Sequence, residues 1–120
     1  MCTAVRIVVA AAERDRRLEL RRSVVTAEWE VVGEADGPEA AYQEAVERRA
    51  RFLVLDASAA GSRPEVIVRR LKSTSPNVFV IAVGDLAQAG ADAAVPAGSL
   101  ATLRDTMRDL LHASGDHAHT

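Results

Sequence analysis

The sequence predicts an α/β fold in which a parallel sheet carries helices on both faces. Three observations carry this. Short apolar, β-branched runs alternate with helix-like segments from one end of the chain to the other, the pattern of parallel strands joined by right-handed crossovers. The runs Phe52–Leu55 and Val78–Val83 are apolar at every position, as strands covered on both faces must be. A length of 120 residues and an apolar content of 48% suit a single domain with one real core.

The elements follow in order. Val5–Val9 is a short β-branched strand, and Glu13 to Thr26 is a helix dense in charge. Trp29–Val32 is the second strand, ending at Gly33. Asp36-Gly-Pro-Glu39 starts a helix, with Pro38 near its first turn and an acid behind it. Ala40, Ala41, Ala45 and Val46 give that helix its apolar stripe. Arg51–Leu55 is the third strand, closed by Asp56, and Ala57–Arg63 is a loop of mostly small residues. Pro64 opens a third helix with Val66, Ile67, Val68 and Leu71 as its apolar positions. After the turn Ser75-Pro-Asn77 comes the strand Val78–Val83, then a weak fifth strand, Ala93–Val95. Leu100 to His112 is an amphipathic helix with Leu100, Leu103, Met107, Leu110 and Leu111 on one side. Residues 1–113 read as the domain and 114–120 as a frayed tail. There is no internal repeat and no linker.

Composition narrows the function. Net charge is −2, which argues against nucleic acid as the main partner. Aromatics are only 3%, so Val, Leu, Ile and Ala build the core. The single cysteine, Cys2, excludes an internal disulfide and a cysteine-based zinc site, and fits a reducing, cytoplasmic setting. No apolar run is long enough for a membrane span, and the first residues lack signal-peptide order. No G-x-G-x-x-G or P-loop is present. Lys72, in the third helix, is the only lysine.

Several segments together resemble one family. Val5-Arg-Ile-Val-Val-Ala10, Glu30-Val-Val-Gly-Glu-Ala-Asp-Gly37, Arg51–Asp56, Ser75-Pro-Asn77 with Val80-Ile81, and Gly90-Ala-Asp92 occur in the order found in response-regulator receiver domains. The similarity is nearest to receivers of LuxR-type transcription regulators and spans nearly the whole chain. The resemblance implies a flavodoxin-like three-layer αβα sandwich with a five-stranded parallel sheet in the order 2-1-3-4-5. Its site would lie at the carboxyl ends of the strands.

The resemblance also implies a set of site residues, most of which are replaced. Asp56 falls on the phosphoacceptor position. The acidic pair that would hold Mg²⁺ falls on Ala11 and Ala12, and a methyl group cannot bind a hard cation. Glu13 follows as a possible substitute acid, one position late; its plainer role is a first-turn helix acid favoured by the dipole. The hydroxyl position falls on Gly84, the lysine position on Ala97 after Pro96, and the aromatic switch position on Ala94 or its neighbour Ala93. No nearby arginine is expected to replace the lysine. Asp56 is then either a phosphoacceptor or an acid that ends a strand and caps a loop.

Two further departures matter. The stretch from Gly84 to Gly90 is much shorter than the family pattern, with Leu86–Ala89 as the remnant of a shortened or missing fourth helix. Side chains from Val78 to Val83 and around Val95 are expected to line an open strip, unless the shortened loop folds over it. In the first helix, Asp15 and Arg16 take positions that are usually apolar in such receivers. Arg14, Arg16, Arg17, Arg21 and Arg22 form a basic cluster answered by Glu13, Asp15 and Glu19. Local ion pairs on a solvated face are expected, with an acidic-partner surface as the alternative. His112, His117 and His119 belong to the end of the chain and are assigned no role.

The sequence therefore points to an atypical receiver, a pseudo-receiver, that is not an enzyme, takes no cofactor or metal, and acts as a phosphorylation-independent protein-interaction or regulatory module in signal transduction. The alternatives are a functional receiver phosphorylated on Asp56 in a two-component phosphorelay and a small-ligand-binding flavodoxin-like domain. The partner would be a protein: a histidine kinase, another regulator or an output protein. A homodimer through strands 4 and 5 and the last helix is the self-association version, with Arg104, Asp105, Arg108 and Asp109 as candidate surface residues. The last helix ends close to the end of the sequence, so no DNA-binding output domain is expected within it.

Overall fold

The computed structural model describes residues 5–26, 28–84 and 90–113. Five strands, β1 (Val5–Ala10), β2 (Trp29–Ala35), β3 (Phe52–Asp56), β4 (Phe79–Val83) and β5 (Ala93–Val95), form one sheet in the order β2-β1-β3-β4-β5. Every neighbouring pair is parallel. Among the described residues the helices are α1 (Arg14–Val24), α2 (Pro38–Glu47), α3 (Pro64–Thr74) and α4 (Leu103–Ala113), with short 3-10 turns at Ala57–Ala59 and Leu100–Thr102. No helix is long and apolar enough to cross a membrane among the described residues. The expected remnant of a fourth helix, Leu86–Ala89, lies outside the described residues, as does the tail 114–120.

Strand alternation sorts the core into two layers. Ile7, Val9, Phe52, Val54, Ile81, Val83 and Val95 face Leu20 and Val24 of α1 and Leu103 and Met107 of α4. Val8, Ala10, Leu53, Leu55, Val80 and Ala82 face Ala41 and Ala45 of α2 and Val68 and Leu71 of α3. A run buried on both faces has no polar side to reveal its periodicity, which is why β3 and β4 read as unbroken apolar stretches. Phe52 is the largest fully buried side chain and sits between the rings of Trp29 and Phe79, at 6.2 and 5.4 Å.

The boundaries differ from the sequence expectation in instructive ways. Strand β2 continues past Gly33 to Ala35, because Val32 is accommodated as a bulge opposite Ile7 and Val8. An added Cβ at Gly33 would meet the Glu44 carboxylate of α2, the end of a flexible side chain that can swing aside. The first turn of the last helix is 3-10 over Leu100–Thr102. Helix α2 ends with Arg49 in the left-handed region, φ 52°, while Ala50 N–H bonds the Ala45 carbonyl and Arg49 N–H the Val46 carbonyl. This is a Schellman stop made without glycine.

The expected open strip over strands four and five is closed. Val78, Val80, Ile81, Ala82, Val83 and Val95 are each no more than 1% exposed. Residues 84–92 alone join β4 to β5, short for a parallel crossover, which ordinarily takes about a dozen residues. Three things compensate. α3 reaches over with Val68 and Leu71, Ala91 packs on the same cluster, and Gly90 lies beside Val68. Only Ala94, the neighbour of Ala82 on that face, stays exposed in β5. Small side chains such as Ala82 need little cover, which α3 and Ala91 supply among the described residues.

Candidate functional site

Asp56 is the last residue of β3, in register with Val83, at the carboxyl edge of the sheet. It is the only charged residue among the buried ones described, at 7% exposure. It also caps the 3-10 turn that follows. Its Oδ2 accepts the Ser58 amide at 3.1 Å and the Ser58 hydroxyl at 2.6 Å. Ser58 Oγ in turn accepts the Ala12 amide at 3.0 Å, so one serine fastens the β1–α1 loop to the acid.

The other carboxylate oxygen is taken by an arginine. Arg16 Nε donates to Asp56 Oδ1 at 3.1 Å, Nη1 to Glu19 Oε1 at 3.2 Å, and Nη2 to the Ala97 carbonyl at 3.0 Å. Burial lowers the pKa of the Arg16 guanidinium, but the hydrogen bonds and charges of Asp56 and Glu19 outweigh that and leave it raised. The expectation that no arginine would serve this site is therefore overturned. The reason is geometric. Arg16 lies in the first turn of α1, and its long side chain spans to both β3 and the β5–α4 loop. The usually apolar character of that position was the available signal; it was read as part of a solvated basic face.

Two more arginines of that face pair across elements rather than along the helix. Arg17 and Arg21 bond Glu34 of β2 at 3.3 and 3.2 Å, and Arg17 Nη1 also donates to the Ala11 and Ala12 carbonyls. Of the three acids expected to answer the cluster, Glu19 alone is paired with it among the described residues, through Arg16. Glu13 is exposed and sits just before α1, with no side-chain cap bond.

The remaining positions are brought to the same edge but carry no reactive group. Ala11 is buried, its amide bonded to the Ala35 carbonyl; Ala12 is exposed. Gly84 has φ 100°, and a Cβ there would meet Ala57 Cβ at 3.2 Å, so a hydroxyl side chain would be strained. Ala97 contributes its carbonyl to Arg16, and Ala94 is exposed on β5. Lys72 is at the far end of the sheet, where it bonds the Val78 carbonyl and Asp92.

These residues do not fit Mg²⁺. The ion wants about six oxygen ligands in near-octahedral array. Among the described residues one carboxylate is buried at this edge, both its oxygens are engaged, and a guanidinium occupies its approach. Among the described residues no group of three or more His, Cys, Asp or Glu is arranged for a metal. His117, His119, Cys2 and Asp85 lie outside the described residues, and His112 is exposed at the end of α4. Arg104, Asp105, Arg108 and Asp109 are exposed on α4, with Arg108 paired to Asp105 and 5.7 Å above the Trp29 ring.

Neither a family model nor a curated protein matches the sequence. Solved structures do match. The receiver domain of AraT, a response regulator from Geobacillus stearothermophilus, is 20% identical, with 93% of this chain and 98% of that one covered at TM-score 0.77. A LuxR-family two-component response regulator from Aurantimonas sp. gives 19% identity, coverages of 92% and 87%, and TM-score 0.80. CheY6 from R. sphaeroides, solved with the phosphorylated P1 domain of CheA3, matches at 17% identity, coverages of 89% and 96%, and TM-score 0.71. With its strand order, its acid at the end of β3 and these matches, the chain has the fold of a response-regulator receiver domain.

Proposed function

We propose that this receiver fold works as a phosphorylation-independent protein-interaction module in signal transduction, a pseudo-receiver rather than a phosphoacceptor or an enzyme. One observation carries the reading: both oxygens of Asp56 are hydrogen-bonded within the chain, one of them to a resident cation. Phosphoryl transfer to a carboxylate needs a free nucleophilic oxygen and a cation that neutralises the incoming phosphoryl group. Arg16 would be spent on the ground state, and the positions that would supply acids, hydroxyl and lysine are Ala11, Ala12, Gly84 and Ala97.

The output is then a protein contact. CheY6, which shares the fold, was solved in complex with the phosphorylated P1 domain of CheA3, which supports another signalling protein, whether a histidine kinase, another regulator or an output protein, as the class of partner. The proposed contact face is the β5 edge with α4, where Ala94, Arg104, Asp105, Arg108 and Asp109 are exposed; self-association would use the same face. Residues 1–113 act as one domain in a cytoplasmic setting. The test is incubation with acetyl phosphate and Mg²⁺ followed by intact-mass measurement, with beryllofluoride NMR beside it. The expected result is an unmodified mass and an unmoved spectrum. A phosphoryl adduct lost in Asp56→Asn would return the chain to the ordinary phosphorelay.

A further inference from the structure

A receiver site uses a diffusible cation and a lysine; this one holds a tethered cation. The contacts of Arg16 join three elements: its own helix through Glu19, the end of β3 through Asp56, and the β5–α4 loop through the Ala97 carbonyl. A guanidinium is planar and its donors diverge from three nitrogens, so it reaches acceptors farther apart than the single nitrogen of an ammonium can. Its side chain is 20% exposed and that of Asp56 10%, so solvent and salt screen the pair less than a surface pair. Among the described residues no other cation is bonded to Asp56.

We propose that Arg16 is a positioning residue that takes the place of both the divalent ion and the site lysine, holding the β5–α4 loop against Asp56 in one permanent arrangement. This deepens the interaction-module reading and rests on it. The face formed by β5 and α4 is then set by the fold itself, and neither Mg²⁺ nor a phosphodonor resets it.

The test follows amide hydrogen exchange by NMR in the full chain, with Ser99 as reporter, because its amide is bonded to the Pro96 carbonyl within the loop. Arg16→Met is expected to speed Ser99 exchange about tenfold, the worth of one charge-assisted hydrogen bond, while central β1 and β3 amides keep their rates. Arg16→Lys retains charge beside Asp56 but loses the fork to Ala97. It should show the same local acceleration with a thermal midpoint near that of the unaltered chain, and it answers the question if the Met variant does not fold. Millimolar Mg²⁺ should leave the signals of residues 96–99 in place. A Ser99 rate indifferent to both Arg16 variants overturns the tether, as does a Mg²⁺-dependent shift of this loop in the unaltered chain. The two readings fail separately. An indifferent loop in a chain that acetyl phosphate leaves unmodified ends the tether alone, whereas a phosphorylated Asp56 ends the reading beneath it.

Discussion

Two carboxylates at opposite ends of the sheet are used in nearly the same way. At the carboxyl edge, Asp56 accepts a backbone amide from Ser58 and a cation, Arg16, whose other donors include one to a backbone carbonyl, Ala97. At the amino edge, Asp92 accepts the Val80 amide at 2.8 Å and a cation, Lys72, which also donates to the Val78 carbonyl. Asp92 N–H bonds the Val80 carbonyl as well, so this residue extends the β4 pairing below β5. The second cluster is a plain structural staple that closes the short β4–β5 connection. The likeness of the first to it is physical support for a structural Asp56. The difference is in redundancy. Arg16 has Glu19 as a second acid, whereas Asp92 is the one acid bonded to Lys72 among the described residues.

That difference ranks the consequences of breaking each pair. Asp92→Ala should be the more damaging, because it strips Lys72 of its acid and the Val80 amide of its acceptor together. Both side chains are partly exposed, so the loss is expected near ~2 kcal/mol rather than the full cost of an orphaned buried charge. Urea denaturation measures it, and a domain of this size should melt several degrees lower. Asp56→Ala should cost less, about 1–1.5 kcal/mol, since Glu19 and Ala97 still hold Arg16. If Asp56→Ala proved the costlier, the redundancy argument would be wrong and the site would be holding the fold more tightly than the staple does.

Gly84→Ser probes the same edge from the other side. It restores a hydroxyl of the type the receiver pattern calls for, yet the backbone has φ 100° and Ala57 Cβ is 3.2 Å from where the new Cβ would lie. A destabilisation of about 1–2 kcal/mol is expected from the left-handed backbone and the crowding together. A neutral outcome in thermal melts would mean that the loop can be reshaped, and that the missing hydroxyl is a matter of side chain alone.

Much of this was legible in the sequence, and what was not has a common cause. The element order and strand order follow from periodicity plus ordered local motifs, and Asp56 was found because a lone acid ending an apolar strand is conspicuous. The resemblance set Ala11, Ala12 and Ala97 on positions that would carry acids and a lysine, and the structure brings their backbones to the Asp56 edge. The role of Arg16 was not legible, because its partners beyond Glu19 are 40 and 81 residues away and Arg17 and Arg21 pair elsewhere. Local charge spacing predicts helix-face pairs; it carries no information on which arginine turns inward. Whether the strip over β4 is open or covered was left undecided in the sequence for a related reason. Its cover comes from α3 and from the small residues Gly90 and Ala91, whose contribution depends on where the chain runs rather than on their own hydrophobicity.

The smallest expected effect tests that cover directly. Ala94 shares its sheet face with Ala82, which is 1% exposed, yet Ala94 itself is open. If the staple and α3 suffice to close the sheet, then Ala94→Glu adds a charge to solvent and removes almost no buried area. Its effect on stability should stay within about 0.5 kcal/mol, the usual range for a surface substitution. The same change places a carboxylate at the β5 edge, on the sheet side away from α4 and bordering the proposed docking face, so any self-association through that edge seen by light scattering across a concentration series should weaken while the melt does not. A large loss of stability would instead mean that Ala94 is packed, that the β5 face is already occupied within the chain, and that the docking surface has to be sought on α4 alone.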